Sequence, residues 1–194
     1  MQGLIRNAGS ILAGCLLAAI SIVGHAQAAA AKPAVGTVMT PSATYGRLLD
    51  TLSKEFVDAV EAMPEDKFNF APAESAGDFK GVRSFAGQVK HVAGSNWYFF
   101  GGPDMTPDQA KAKQATIDKL SSKVEIIQAL KDSLTQGRTF IGGITAENAF
   151  VMTANGTRGG MAAFGIAHMM DHYGQLVVYL RMNGIVPPAS RGSM

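Results

Sequence analysis

Residues 161–188 read MAAFGIAHMMDHYGQLVVYLRMNGIVPP, and the reading of this stretch decides the fold. Met161 to Asn183 contains no proline and is too long for a strand, so it predicts a helix of about six turns. Gly184 and then Pro187-Pro188 close it. His168 and His172 stand four residues apart, which puts both imidazoles on one face. At about 100° per residue, Met161, Phe164, Gln175, Tyr179 and Met182 fall within about 40° of His168. The histidine face therefore reads as the mostly apolar one and is expected to look into the interior.

Working outward, residues 145–160 form a connection in which Asn155-Gly156 signals a turn. Before it, Ile126, Ile127, Leu130, Leu134, Ile141 and Ile144 mark one face of another helix. Residues 103–122 are polar and predict no more than a short helical turn. A helix from Ser84 to Phe100 is opened by the Ser84 hydroxyl and ended by Gly101-Gly102-Pro103. Residues 64–81, with two prolines and two glycines, make a long connection. The first helix starts at Thr40-Pro41, carries Tyr45, Leu48, Leu49, Leu52, Phe56, Val60 and Met63 at three- and four-residue spacing, and stops at Met63-Pro64. Four such helices with no convincing alternating strand, no repeat and no second domain predict an all-α four-helix bundle over residues 41–190.

Composition constrains what this bundle can do. The 194 residues are 47% apolar and 16% charged, enough to fill a core, with a formal net charge of +2. No basic block is present, so binding driven by nucleic-acid phosphates is not expected. Residues 1–28 read as a secretory signal peptide: Arg6, the apolar stretch Ile11 to Val23, and the small-x-small pattern Ala26-Gln27-Ala28. The apolar stretch is too short to span a bilayer, which needs about 20 residues. Leu12-Ala13-Gly14-Cys15 looks like a lipoprotein box, but the apolar run continues well past Cys15 instead of ending at it. Cleavage after Ala28 leaves a flexible lead-in at 29–40 and a mature chain without cysteine, expected to be secreted or periplasmic and free of the membrane. Its histidines are His91, His168 and His172.

Two buried imidazoles with unsatisfied nitrogens would cost roughly 1–3 kcal/mol each, a penalty that a shared metal removes. His91 lies near the azimuth of Ser84, Gln88, Ser95 and Tyr98, a more polar stripe, and taken alone it reads as a hydrogen-bonded, partly buried residue. All three mature histidines nevertheless fall inside helices. Three imidazoles with an open fourth position make a catalytic type of zinc geometry.

The run His168-x-x-x-His172-Tyr173-Gly174-Gln175-Leu176, followed by Tyr179-Leu180-Arg181, Gly184 and Pro187-Pro188, resembles the C-terminal signature of the DinB-like superfamily. His91, in a helix opening Ser84-Phe85 and continuing His91-Val92-Ala93, matches that family's first histidine. The resemblance covers about residues 41–190. It implies a four-helix bundle holding a divalent metal, zinc or nickel, on His91, His168 and His172. It further implies a hydrolase or transferase that uses metal-activated water or thiolate on a small-molecule substrate. A non-catalytic metal- or ligand-binding bundle is the alternative, and a homodimer fits either reading. A secretory signal departs from the mostly cytoplasmic family pattern and counts against a cytosolic thiol as co-substrate.

Around this triad the residues leave several roles open. Asp171, about 60° from His168, is a weak catalytic candidate: an acceptor behind a ligand, a base, or a solvated carboxylate. Gln175 either lines the site or bonds across the bundle. Trp97, Tyr98, Phe99 and Phe100 read first as core and second as the rim of a substrate mouth. Met169 and Met170 read as packing residues.

Overall fold

Thr40 and Pro41 begin the first helix for a simple reason. The Thr40 hydroxyl accepts a hydrogen bond from the Ala43 N–H, and proline at the first position gives up only an N–H that a helix start cannot use. The computed structural model describes residues 33–192; the expected signal peptide, with Cys15, lies outside them. The helices are α1 (Pro41–Ala62), α2 (Phe85–Phe100), α3 (Pro107–Asp118), α4 (Lys123–Gly142) and α5 (Arg158–Met182). A short antiparallel ladder, β1 (Met152–Thr153) and β2 (Gly156–Thr157), precedes α5. Among the described residues no helix is long and apolar enough to cross a membrane.

α1 packs against α4 and α5, and α2 packs against the same two, so the four long helices close a ring in the order α1–α4–α2–α5. Phe56 of α1, Phe85 and Phe100 at the two ends of α2, Leu130 of α4, and Met169 and Leu176 of α5 line its interior and are fully buried. Removing such a side chain from water contributes about 1.5–3 kcal/mol. The long connection after α1 is tied to the bundle rather than loose. Its Phe70 and Phe68 carbonyls accept from the Phe85 and Ala86 N–H groups, two donors that α2 itself leaves unpaired.

Several expectations need correction. The polar stretch 103–122 contains a full helix, α3, which packs on α2. Thr106 and Gln109 form a reciprocal capping box at its start. The Asn155-Gly156 signal belongs to a small hairpin. Ala154 and Asn155 make the turn, and Gly156, at φ 113°, stands in β2. Leu48 and Met170 are exposed.

The largest correction concerns the buried stripe of α5, which runs through Ala162, Gly165, Met169, His172, Leu176 and Leu180. Phe164 (64% exposed) and Met182 (44%) lie off it, on the solvent side. Hydropathy favours Phe164, whereas packing favours Gly165: a Cβ there would stand 2.5 Å from Cζ of Phe100. The Phe100 ring occupies the space that glycine leaves.

Candidate metal centre

The rotation of α5 decides what each histidine does. His172 lies on the buried stripe, at 7% exposure, while His168, one turn earlier, stands at its margin and is half-buried. α2 brings His91 opposite them, also half-buried. The fold thus brings His91 to a histidine pair that lies far from it in the sequence. Nε2 of His91 and Nε2 of His168 lie 3.1 Å apart, and one ring nitrogen from each of the three histidines falls within 4.8 Å of the others. Ring centroids are 4.6–5.0 Å apart with tilts of 63–76°, edge to face rather than stacked.

Two neighbouring ligands on a tetrahedral zinc, each bonded at about 2.0–2.1 Å, stand about 3.3 Å apart. The 3.1 Å between His91 and His168 lies close to that figure. Burial also sets the protonation state. It pushes His91 and His172 down to about 4 from an ordinary 6.5, and it lowers His168 in the same direction. For His91 the Arg83 guanidinium adds to the effect, while Asp118 opposes it. At neutral pH all three rings are uncharged and offer lone pairs. Nδ1 of His168 and Nδ1 of His172 are buried without a hydrogen-bond partner. The donor set therefore suits one divalent ion, and the trio carries unmet polar capacity.

The surroundings answer the open questions. Gln175 bonds across the bundle: its Oε1 accepts from Nε2 of Gln88 at 2.7 Å, and its own Nε2 donates to Asp171 Oδ2 at 3.0 Å. Asp171 is exposed and held by that amide; among the described residues it makes no hydrogen bond to a histidine. The aromatic run divides. Phe99 and Phe100 are core, Tyr98 is exposed, and Trp97 carries the Lys113 ammonium over its ring. Phe99 also borders the site, with its ring 5.2 Å from that of His168 and 5.4 Å from that of Phe164. Sequence reasoning missed Arg83, Phe164 as a rim residue, and the Gln88–Gln175 link. Gln88 had a signal, since it stands one turn before His91 on the same face; Arg83, outside the helix, had none.

Four packed helices carrying three convergent imidazoles define a class: an all-α protein whose three histidines could together hold a metal ion. The sequence profile of the DinB superfamily matches residues 48–176, and the chain belongs to that superfamily. The matched stretch includes all three histidines and stops at Leu176, so Tyr179-Leu180-Arg181, Gly184 and Pro187-Pro188 lie beyond it. No curated protein matches the chain at a significant level.

Proposed function

We propose that this DinB-superfamily protein is exported through residues 1–28, holds one zinc or nickel ion on His91, His168 and His172, and catalyses hydrolysis or group transfer on a small substrate. One observation carries the proposal: three imidazoles from two helices, uncharged through burial, present nitrogens within 4.8 Å of one another. A bound ion in such a set supplies Lewis acidity and lowers the pKa of a water or thiol beside it. The protein's own residues do the rest. Burial keeps the rings neutral, the Gln88–Gln175 bond ties α2 to α5, and the Phe99 ring packs between those of His168 and Phe164.

A non-catalytic metal-binding role has its own support. A cavity of about 520 Å³ lies between the end of α2 and α3, lined by Gly101, Met105, Gln109 and Lys113 among others, and no histidine faces it. Asp171, the nearest candidate base on α5, is already engaged by Gln175. Metal analysis separates these roles from a metal-free bundle. Mature protein beginning at Ala29, recovered from the exported fraction, is expected to hold one ion per chain, and His168→Ala almost none. Equal, near-zero metal in both would remove the basis for either metal role. Solvent exchange at the bound ion then favours catalysis, and a fourth protein ligand favours the non-catalytic role.

A further inference from the structure

α2 and α5 run past each other with a register that orders the chemistry along their seam. Phe99 faces Phe164 and His168, His91 faces His168 and His172, Gln88 faces Gln175, and the Arg83 carbonyl accepts from the Tyr179 hydroxyl at 3.1 Å. The seam therefore passes from apolar to imidazole to amide to cation. Arg83 is exposed, and among the described residues its guanidinium has no carboxylate partner. Its stem lies beside Gly87, where a Cβ would stand 3.3 Å from Arg83 Cβ and 3.9 Å from its Cγ, and its positive charge acts on all three histidines, lowering the pKa of each. The nearby carboxylates are occupied: Asp171 accepts from Gln175 and Asp118 from Gln114. Gln88 is 3% exposed, and its Oε1 is buried without a partner. A carboxamide oxygen kept dry and unpaired awaits an N–H or O–H donor.

We infer that the seam binds an N-acylated amino acid, with the carboxylate on Arg83, the amide N–H on Gln88 Oε1, and the acyl group against Phe99 and Phe164. That placement puts the acyl carbonyl beside the histidines. It deepens the proposed function and rests on it for any turnover, but the binding claim stands on Arg83, Gln88 and the aromatic rim. Arginine suits the carboxylate because its planar fork can donate two parallel hydrogen bonds.

Hippurate (N-benzoylglycine) is the probe, with the neutral hippuramide and the truncated N-acetylglycine as controls. Calorimetric titrations of mature protein, with and without zinc, compare wild type, Arg83→Met and Phe164→Ala. Wild type is expected to bind hippurate more tightly than hippuramide. Arg83→Met should weaken hippurate by about tenfold or more while leaving hippuramide unchanged. Phe164→Ala should weaken hippurate but not N-acetylglycine. Both side chains are exposed, so unchanged thermal melting is expected and confirms an intact fold. Failure of wild type to bind hippurate, equal affinity for hippurate and hippuramide, or an Arg83→Met variant that binds as wild type does would overturn the inference. Zinc content read on the same samples keeps the two ideas apart. A wild type without zinc removes the metal reading, while the Arg83 comparison on metal-free protein still decides the ligand.

Discussion

A histidine buried as a neutral ring makes folding sensitive to acid. His91 and His172 accept protons only near pH 4 in the folded chain, because burial penalises the imidazolium, whereas an unfolded chain takes them up near 6.5. As the pH falls through that interval the unfolded state binds more protons, so stability drops; above 6.5 the contribution is complete and constant. The upper part of the interval lies above the ordinary carboxylate range, so these rings dominate there. Thermal melts of metal-free protein are expected to shift downward from pH 6.5 to 4.5. His172→Gln, which cannot titrate, should flatten that slope relative to wild type. Identical slopes in the two proteins would show that the ring is not held neutral by the fold.

Within α5, the same substitution is expected to have opposite signs at two positions. Gly165 faces Phe100, and a Cβ there would also crowd Phe99 Cβ at 2.9 Å; Gly174 has nothing within 4 Å. Alanine is the better helix former by about 1 kcal/mol. At Gly174 that gain stands alone, so Gly174→Ala should stabilise by roughly 0.5–1 kcal/mol. At Gly165 overpacking of about 1–3 kcal/mol opposes it, and Gly165→Ala should destabilise on balance. Denaturant unfolding of both variants checks the pair, and stabilisation at Gly165 would mean that Phe100 yields easily. The contrast also explains what the sequence could disclose at this scale. Starts such as Thr40-Pro41 and Ser84, and the stop at Gly184, are settled by chemistry within four residues, and they stand where expected. The facing of α5 is not local: Gly165 is buried because Phe100, from another helix, fills its space. α3 escaped notice because it buries little beyond Ala110 and Ile117, too sparse to give a period, although Thr106-Pro107 repeats the signature of Thr40-Pro41. The histidine trio was legible as residues, since each sits within a helix. Arg83 was not, because it stands before the Ser84 cap of α2 and belongs to no helical period.

Across the whole molecule, the three histidines tie two corners of the ring. His168 and His172 lie on one helix and could hold an ion weakly even if α5 were detached, whereas His91 comes from α2 and meets them only when the bundle is closed. An ion that needs all three binds the folded chain and not the unfolded one, so it stabilises by mass action, by about 2.7 kcal/mol at a hundred times its Kd. For a domain of this size that corresponds to roughly 5–10 °C in Tm. Zinc at saturating concentration is therefore expected to raise the melting temperature of wild type by that order. His91→Ala should leave the metal-free melt little lower, because the ring is only half-buried, yet abolish most of the zinc-induced rise. A variant that gains as much from zinc as wild type would place the ion on α5 alone. The centre would then not couple α2 to α5, and a three-imidazole site would be the wrong description of it.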